Sequence, residues 1–448
     1  MEMREYLDTL VEQIRFKKAR ELVEEEVKSH IEDQMEAYRA QGMTEAEAEE
    51  RAVRQMGDPV EAGVALDRVH RPGMDWRLVG LIAFLSLAGL AVLYVRCGQN
   101  GDYAGFWKQC IYIGVGFLLM MAVCLMDYSA VGKYVIPMWC GLSGLLLIAG
   151  FIGPIAINGA RYYIRVSGFY LELKNYVYLY VPLYAAILYR SRGGGYLSLI
   201  KCGLFHVAAM LVSLMAVTLP ICLDVTAVCL ILTSIAIWNG WFTVRRRNAY
   251  ALLGLSVLSV PALLMGFGLW RMYPYQIRRI QAILSPYKDS NGAGYLPSVI
   301  RETLKNGSWL GQSGEPVADV LKGVNTDYVL THLVSTYGYL AAVFLVILFA
   351  LLLLHIFHAL SRQKNQLGQM IGLGCGFVFA LQLFHGVMLN LGIGFMTVGI
   401  PFLSNGQSVT IAAYLLMGLL LSIYRYKDVA VDKTVSYQKK YRIRIEKI

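Results

Sequence analysis

The chain has 448 residues, of which 56% are hydrophobic and 12% aromatic, and its mean hydropathy is positive at +0.49. That is too apolar for a soluble globular protein and implies an integral membrane protein. The net charge of +10 divides unevenly: residues 1–75 carry 19 acidic and 11 basic side chains, the remainder 12 and 30. The basic excess lies in short connections between apolar runs, where it orients a membrane protein; with no nucleic-acid motif present, no nucleic-acid partner is implied.

Residues 1–72 read as a small cytoplasmic helical domain with a docking or regulatory role. Leu22, Val23, Val27, Ile31, Met35 and Tyr38 form a stripe at helical spacing that ends at Gly42. Thr44 with Glu47 three residues on is a capping box, and Gly57-Asp58-Pro59 ends that helix. The start, MEMREYLDTL, lacks the apolar core of a signal peptide, so no cleaved leader is expected. The eight cysteines show no CxxC or metal-ligand spacing and read as small core residues.

Ten apolar runs follow, at about 76–95, 106–126, 132–154, 175–190, 197–217, 219–239, 249–270, 329–357, 369–391 and 407–424. Most are long enough to cross about 30 Å of hydrocarbon at about 1.5 Å per residue; the fourth is short. The expected fold is therefore all-α, a polytopic membrane domain of about ten transmembrane helices over residues 73–425, followed by a basic cytoplasmic tail, 426–448. If the N-terminal domain is cytoplasmic, each inside connection is basic, carrying Lys133, Arg190, Arg192, Lys201, Arg245 to Arg247, Arg362 and Lys364. Both termini are then cytoplasmic, and a large loop between helices 7 and 8 is external.

That loop, Tyr275 to Asp327, is punctuated by glycines and by Pro286, Pro297 and Pro316, so it should combine turns with short helical pieces. Arg278, Arg279 and Arg301 run against the positive-inside trend there and suit an anionic ligand. A general base on the external face must come from Asp102, Glu172, Asp224, Asp289, Glu302, Glu315, Asp319, Asp327 or a histidine. Asp289 stands between Pro286 and Gly292-Ala293-Gly294, where a tight turn presents a carboxylate beside exposed amides. Thr326 and Asp327 read as structural, an acidic residue favouring the positive end of the eighth span. His206, His332 and His385 lie on apolar runs, either as intramembrane functional groups or as histidines bonded to a neighbouring helix. Pro401 to Ser408 breaks the chain before the last span.

Three stretches together resemble the SEDS family (shape, elongation, division and sporulation; FtsW/RodA/SpoVE-like), whose FtsW and RodA branches polymerise peptidoglycan from lipid II. Tyr275-Gln276-x-x-Arg279-Ile280 through Pro286, Asp289 and Gly292-Ala293-Gly294-Tyr295 is similar to the family's YQxxRVxxFLxPxxDPxGAGYQ. Asn158-Gly159-Ala160-Arg161 resembles its NGAxR element, and Pro401-Phe402-Leu403-Ser404 through Ser408 its PFVSYGGS element. The family's QPSE is here Glu172-Leu173-Lys174-Asn175, and its GKG lysine is Gln312. Residues 42–59 are similar to the signature of small helical domains preceding membrane segments in many Gram-positive proteins.

The resemblance implies a peptidoglycan glycosyltransferase of the bacterial plasma membrane, acting in division, elongation or sporulation. It gives Asp289 the role of base, with Tyr275, Gln276, Arg279, Gly292, Gly294, Tyr295, Arg301, Asn158, Arg161, Ser404 and Ser408 binding substrate. Its partners would be lipid II, polyprenyl-diphosphate-linked glycan, membrane lipids and a class B penicillin-binding transpeptidase. No protein metal site is expected, although a divalent cation, Mg or Mn, is compatible with a diphosphate leaving group. The alternatives are a transporter (flippase) of lipid-linked precursors and a catalytically reduced scaffold.

Overall fold

The computed structural model describes residues 1–152, 154–157, 160–166, 169–216, 219–264, 287, 292, 294–313, 326–394 and 398–427. These form two compact units. One comprises residues 1–74 with Gln363–Asn365 and the stretch beginning at Tyr424; the other holds the membrane-spanning helices.

The first unit is built from α1 (Met3–Glu12), α2 (Lys17–Ala40), α3 (Glu45–Gln55) and α4 (Pro59–Val69). The stripe of α2 closes its core, with Val23, Val27, Ile31 and Met35 buried against Tyr6, Leu7, Leu10, Ile14 and Val53. The start of α3 is the expected capping box: the Thr44 N–H and hydroxyl donate to Glu47 Oε2 at 3.1 and 2.7 Å. These bonds, the side-chain one foremost, hold the Glu47 carboxyl below its ordinary value. Asp58 caps α4 by accepting from Val60 N at 2.8 Å, with Pro59 at the first helical position. Within this unit the Phe16 ring lies 5.9 Å from that of Tyr426.

The second unit begins with α5 (Trp76–Asn100), α6 (Ala104–Leu125), the short α7 (Ser129–Lys133) and α8 (Val135–Ile152). A three-stranded antiparallel sheet follows, of β1 (Pro154–Ile157), β2 (Ala160–Val166) and β3 (Phe169–Glu172) in that order. A 3-10 turn, Lys174–Leu179, leads into α9 (Tyr180–Arg190), and α10 (Tyr196–Ala216), α11 (Leu219–Trp238) and α12 (Arg246–Leu264) continue the bundle. After α13 (Tyr295–Lys305) come α14 (Val329–Tyr337), α15 (Tyr339–Ser361), α16 (Gln366–Asn390) and α17 (Gln407–Arg425).

Among the described residues each of the ten apolar runs falls largely on helix. Among the described residues seven helices, α5, α6, α10, α11, α15, α16 and α17, are long and apolar enough to cross a membrane, and α8 is a shorter apolar helix. The protein is a multi-pass, essentially all-α membrane protein to which one small sheet has been added. The eighth run is broken at Gly338, whose φ of +90° separates α14 from α15.

The centre of the bundle is α9, in which every residue from Tyr180 to Leu188 is buried. It packs on α16, α11, α8 and α10. Elsewhere the helices meet closely where a side chain is missing: a Cβ on Gly418 would stand 2.6 Å from Met120 O, and one on Gly116 2.5 Å from the Tyr414 ring. Both contacts join α17 to α6, as small residues do between helices that have no hydrophobic drive to associate in lipid.

Candidate functional site

A polar cluster gathers where β3, the 3-10 turn and the start of α17 meet. Glu172 closes β3 and Lys174 opens the turn, and their side chains, only 16% and 10% exposed, approach to 3.6 Å. Ser408 donates to Glu172 Oε2 at 2.7 Å and accepts from Asn175 Nδ2 at 2.8 Å. Beside it Gln109 of α6 accepts from Gly406 N at 3.1 Å and donates to Thr410 at 2.9 Å. The Asn175 Oδ1 is buried without a hydrogen-bond partner. Two charges sheltered from water at the end of a membrane bundle are costly, and such groups gather where a polar ligand is handled.

The 3-10 geometry extends this cluster inward, because residues three apart eclipse on one face. Three residues beyond Asn175, the Tyr178 hydroxyl donates to Asp224 Oδ2 at 2.8 Å and pairs with Gln382. His385 Nδ1 lies 3.2 Å from Asp224 Oδ1, off the line of a straight hydrogen bond. Asp224 is thus engaged on both oxygens by groups from two other helices. Of the other two histidines that the sequence singles out, His332 contacts Thr336 at 3.3 Å, and His206 Nε2 is buried without a hydrogen-bond partner.

Among the expected binding residues, Ser408 sits inside the cluster, whereas Ser404 turns back on its own loop and accepts from Ile400 N at 2.8 Å. Gly292 O and Gly294 O accept from Tyr295 N and Ser298 N, so the two glycines open α13, with Tyr295 as its first residue. Arg301 lies on α13 against Gly392, where an added Cβ would meet its side chain at 3.0 Å. Ile300 of the same helix packs with Tyr328 and Leu389, which docks α13 on the ends of α14 and α16. Asp327 and Thr326 precede α14, whose cap position is Tyr328 with no side-chain cap. The free donor there is taken instead by Asn390 of α16, which accepts from Thr331 N at 2.9 Å and donates to Asp327 O at 3.0 Å.

Arg161 lies on β2, without a described side chain. Asp289, Tyr275, Gln276, Arg279 and Asn158 lie outside the described residues. Among the described residues no three of His, Cys, Asp or Glu converge on a point where a metal ion could sit. The Lys174 and Asn175 contributions were hidden in the sequence because they stand where the family's QPSE element is broken. The signal that points to them is the pairing of Glu172 with Lys174 just before an apolar run.

Residues 73–429 match the family model of the cell cycle proteins FtsW, RodA and SpoVE. The chain belongs to this family. It is 25% identical over 364 residues to a probable peptidoglycan glycosyltransferase FtsW of Geobacter sp. strain M18, covering 78% of this chain and 96% of that one. It is likewise 25% identical over 373 residues to the stage V sporulation protein E of Bacillus subtilis strain 168, covering 79% and 97%. Its fold resembles a chain of a peptidoglycan synthase complex solved for the coordination of polymerization and crosslinking (TM-score 0.63, 22% identity, 79% and 98% covered). Thermus thermophilus RodA is similar at TM-score 0.56 and 16% identity, over 79% and 98% of the two chains. The FtsW/RodA/SpoVE match covers the membrane domain and leaves residues 1–72 outside it.

Proposed function

We propose that this FtsW/RodA/SpoVE-family protein is a peptidoglycan glycosyltransferase that polymerises glycan strands from lipid II at the outer face of the plasma membrane. The observation that carries the reading is the extent of the family match, residues 73–429, with relatives bearing that activity in their names aligned over nearly their full length. The orientation rests on the basic connections: with the N-terminal helices and tail inside, the sheet, α13 and the start of α17 face outward.

In the chemistry this implies, Asp289 takes the proton from the sugar 4-hydroxyl of one lipid-linked disaccharide. The freed oxygen attacks the anomeric carbon of the growing chain, and polyprenyl diphosphate leaves. One carboxylate suffices for the deprotonation, and cationic side chains stabilise the departing diphosphate. Arg279 and Arg301 supply that charge from the loop and α13. Lys174 adds a buried ammonium beside Ser408, and Glu172 keeps it from being an isolated charge in a poorly solvated place. A class B penicillin-binding transpeptidase is the expected partner, crosslinking the strands as they emerge.

The reading is tested by incubating the purified chain with labelled lipid II, alone and with such a transpeptidase, and resolving the product on a gel. Glycan polymer is the expected product. Lipid II left unpolymerised in both reactions, by protein that is folded and monodisperse, would overturn the enzyme reading in favour of a scaffold.

A further inference from the structure

Residues 308–313 form a strap across the start of α15. Four backbone bonds pin it: Gly311 N to Tyr337 O and Ser313 N to Ser335 O, both 3.1 Å, Tyr339 N to Ser308 O at 3.0 Å and Leu340 N to Trp309 O at 3.2 Å. The fit leaves no slack. A Cβ on Gly338 would stand 2.6 Å from Trp309 O, and one on Gly307 2.8 Å from the Tyr339 ring. Although its backbone is held so firmly, the strap presents Trp309 and Leu310 outward, 74% and 75% exposed. Two neighbouring large apolar side chains on a rigid strap would be unfavourable in water.

The surface they continue identifies what covers them. On α15 the residues Leu340, Phe344, Ile347, Leu351 and Leu354 are all exposed and fall at helical spacing on one face, the face a membrane-crossing helix turns to lipid. Leu340, the uppermost of these, is bonded through its backbone to Trp309, and the Trp309 ring lies 5.9 Å from that of Tyr339, the first residue of the span. The strap therefore sits at the level where the span leaves the hydrocarbon, the depth at which Trp and Tyr rings concentrate.

We propose that Trp309 and Leu310 insert into the boundary between lipid headgroups and acyl chains, making the strap a membrane-interface anchor. Its height is passed to α13, because the Tyr339 hydroxyl donates to Leu304 O near the end of that helix and Gly307 N bonds the same carbonyl. The anchor thus fixes how far α13, which carries Arg301, stands above the bilayer. The occupant is lipid, not a second protein.

The test uses the full chain in phosphatidylcholine–phosphatidylglycerol vesicles, with no other protein present. The tryptophan emission lost in Trp309→Phe isolates the residue from the other tryptophans. That component should be quenched strongly by phosphatidylcholine brominated near the headgroup, less by lipid brominated near the chain ends, and weakly by aqueous acrylamide. Leu310→Trp in the Trp309→Phe background gives a second reporter, expected to follow the same order. Emission from either position that acrylamide quenches fully and brominated lipid leaves untouched would overturn the proposal. So would shielding from both quenchers, which would mean that protein, as in a second copy of the chain, covers the strap.

Discussion

Asp289 and Asn390 separate chemistry from structure. Asp289 is proposed to act through its charge, so Asp289→Asn, nearly equal in shape, should fold normally and lose on the order of 10²- to 10⁴-fold in polymerisation rate, the usual effect of removing a general base. The measurement is polymer yield from lipid II at matched protein concentration, with melting temperature as control; parental yield would move the role to another outer carboxylate. Asn390 is the opposite case. Buried at 3% exposure, it accepts from Thr331 and donates to Asp327 O and Gly386 O. Asn390→Ala leaves a buried amide and a carbonyl without partners, and should lower stability by about 1–3 kcal/mol. A melting temperature in detergent equal to the parent's would refute that. The sequence pointed to Asp327 at this helix start, because a nearby acid is what a single chain segment can reveal. The residue that satisfies the donor is 59 positions away from Thr331, and only the packing of α16 on α14 brings it there.

At the scale of elements, the apolar runs were legible because a membrane imposes length and hydropathy on every span, whatever its partners. The sheet is written in the sequence in a different signal, short strands at hairpin spacing, which ten long apolar runs overshadow. Ile155 to Ile157, Ala160 to Val166 and Phe169 to Leu171 are rich in β-branched and aromatic residues, and Asn158-Gly159 and Ser167-Gly168 supply the two-residue separations of hairpins. Helix contacts were the least legible feature, since Gly116 and Gly418 look like any other glycines in an apolar run. Their role gives a prediction: Gly418→Ala drives a methyl group toward Met120 O and should cost about 1–3 kcal/mol by overpacking, read as a lower melting temperature. An unchanged value would mean that α6 and α17 can slide apart freely. The capping box of α3 gives another. The Glu47 carboxyl titrates lower folded than unfolded, so its contribution is complete above the ordinary value of 4.5 and vanishes as pH falls through the lowered folded value. Hydrogen exchange across α3 should therefore separate parent from Thr44→Ala more widely at neutral pH than in acid, where only the bond from the Glu47 N–H to the Thr44 hydroxyl remains to be lost; a gap that persists unchanged in acid would exclude the Glu47 carboxylate bond as a contributor.

For the whole molecule, the division of labour follows the division into units. Residues 1–72 lie outside the family match, are acidic in net charge and close an apolar core of their own, so they are expected to regulate or dock and not to take part in bond making. Deleting residues 1–70 should leave polymerisation in vitro within about tenfold of the parent, the equivalent of about 1.4 kcal/mol. Abolished turnover in a folded deletion variant would make these helices part of the machinery. In the membrane unit the cluster of Glu172, Lys174, Asn175 and Asp224 gathers at the 3-10 turn that leads into α9. Eleven helical residues at about 1.5 Å and six 3-10 residues at about 2.0 Å reach about 28 Å, close to the thickness of the hydrocarbon with few residues. Because Tyr180 to Leu188 are enclosed by other helices, a thicker or thinner bilayer has no surface on this element to act upon. Hydrophobic mismatch must be absorbed by tilting of the peripheral helices, so the residues that α9 holds in place are insulated from the lipid composition of the cell.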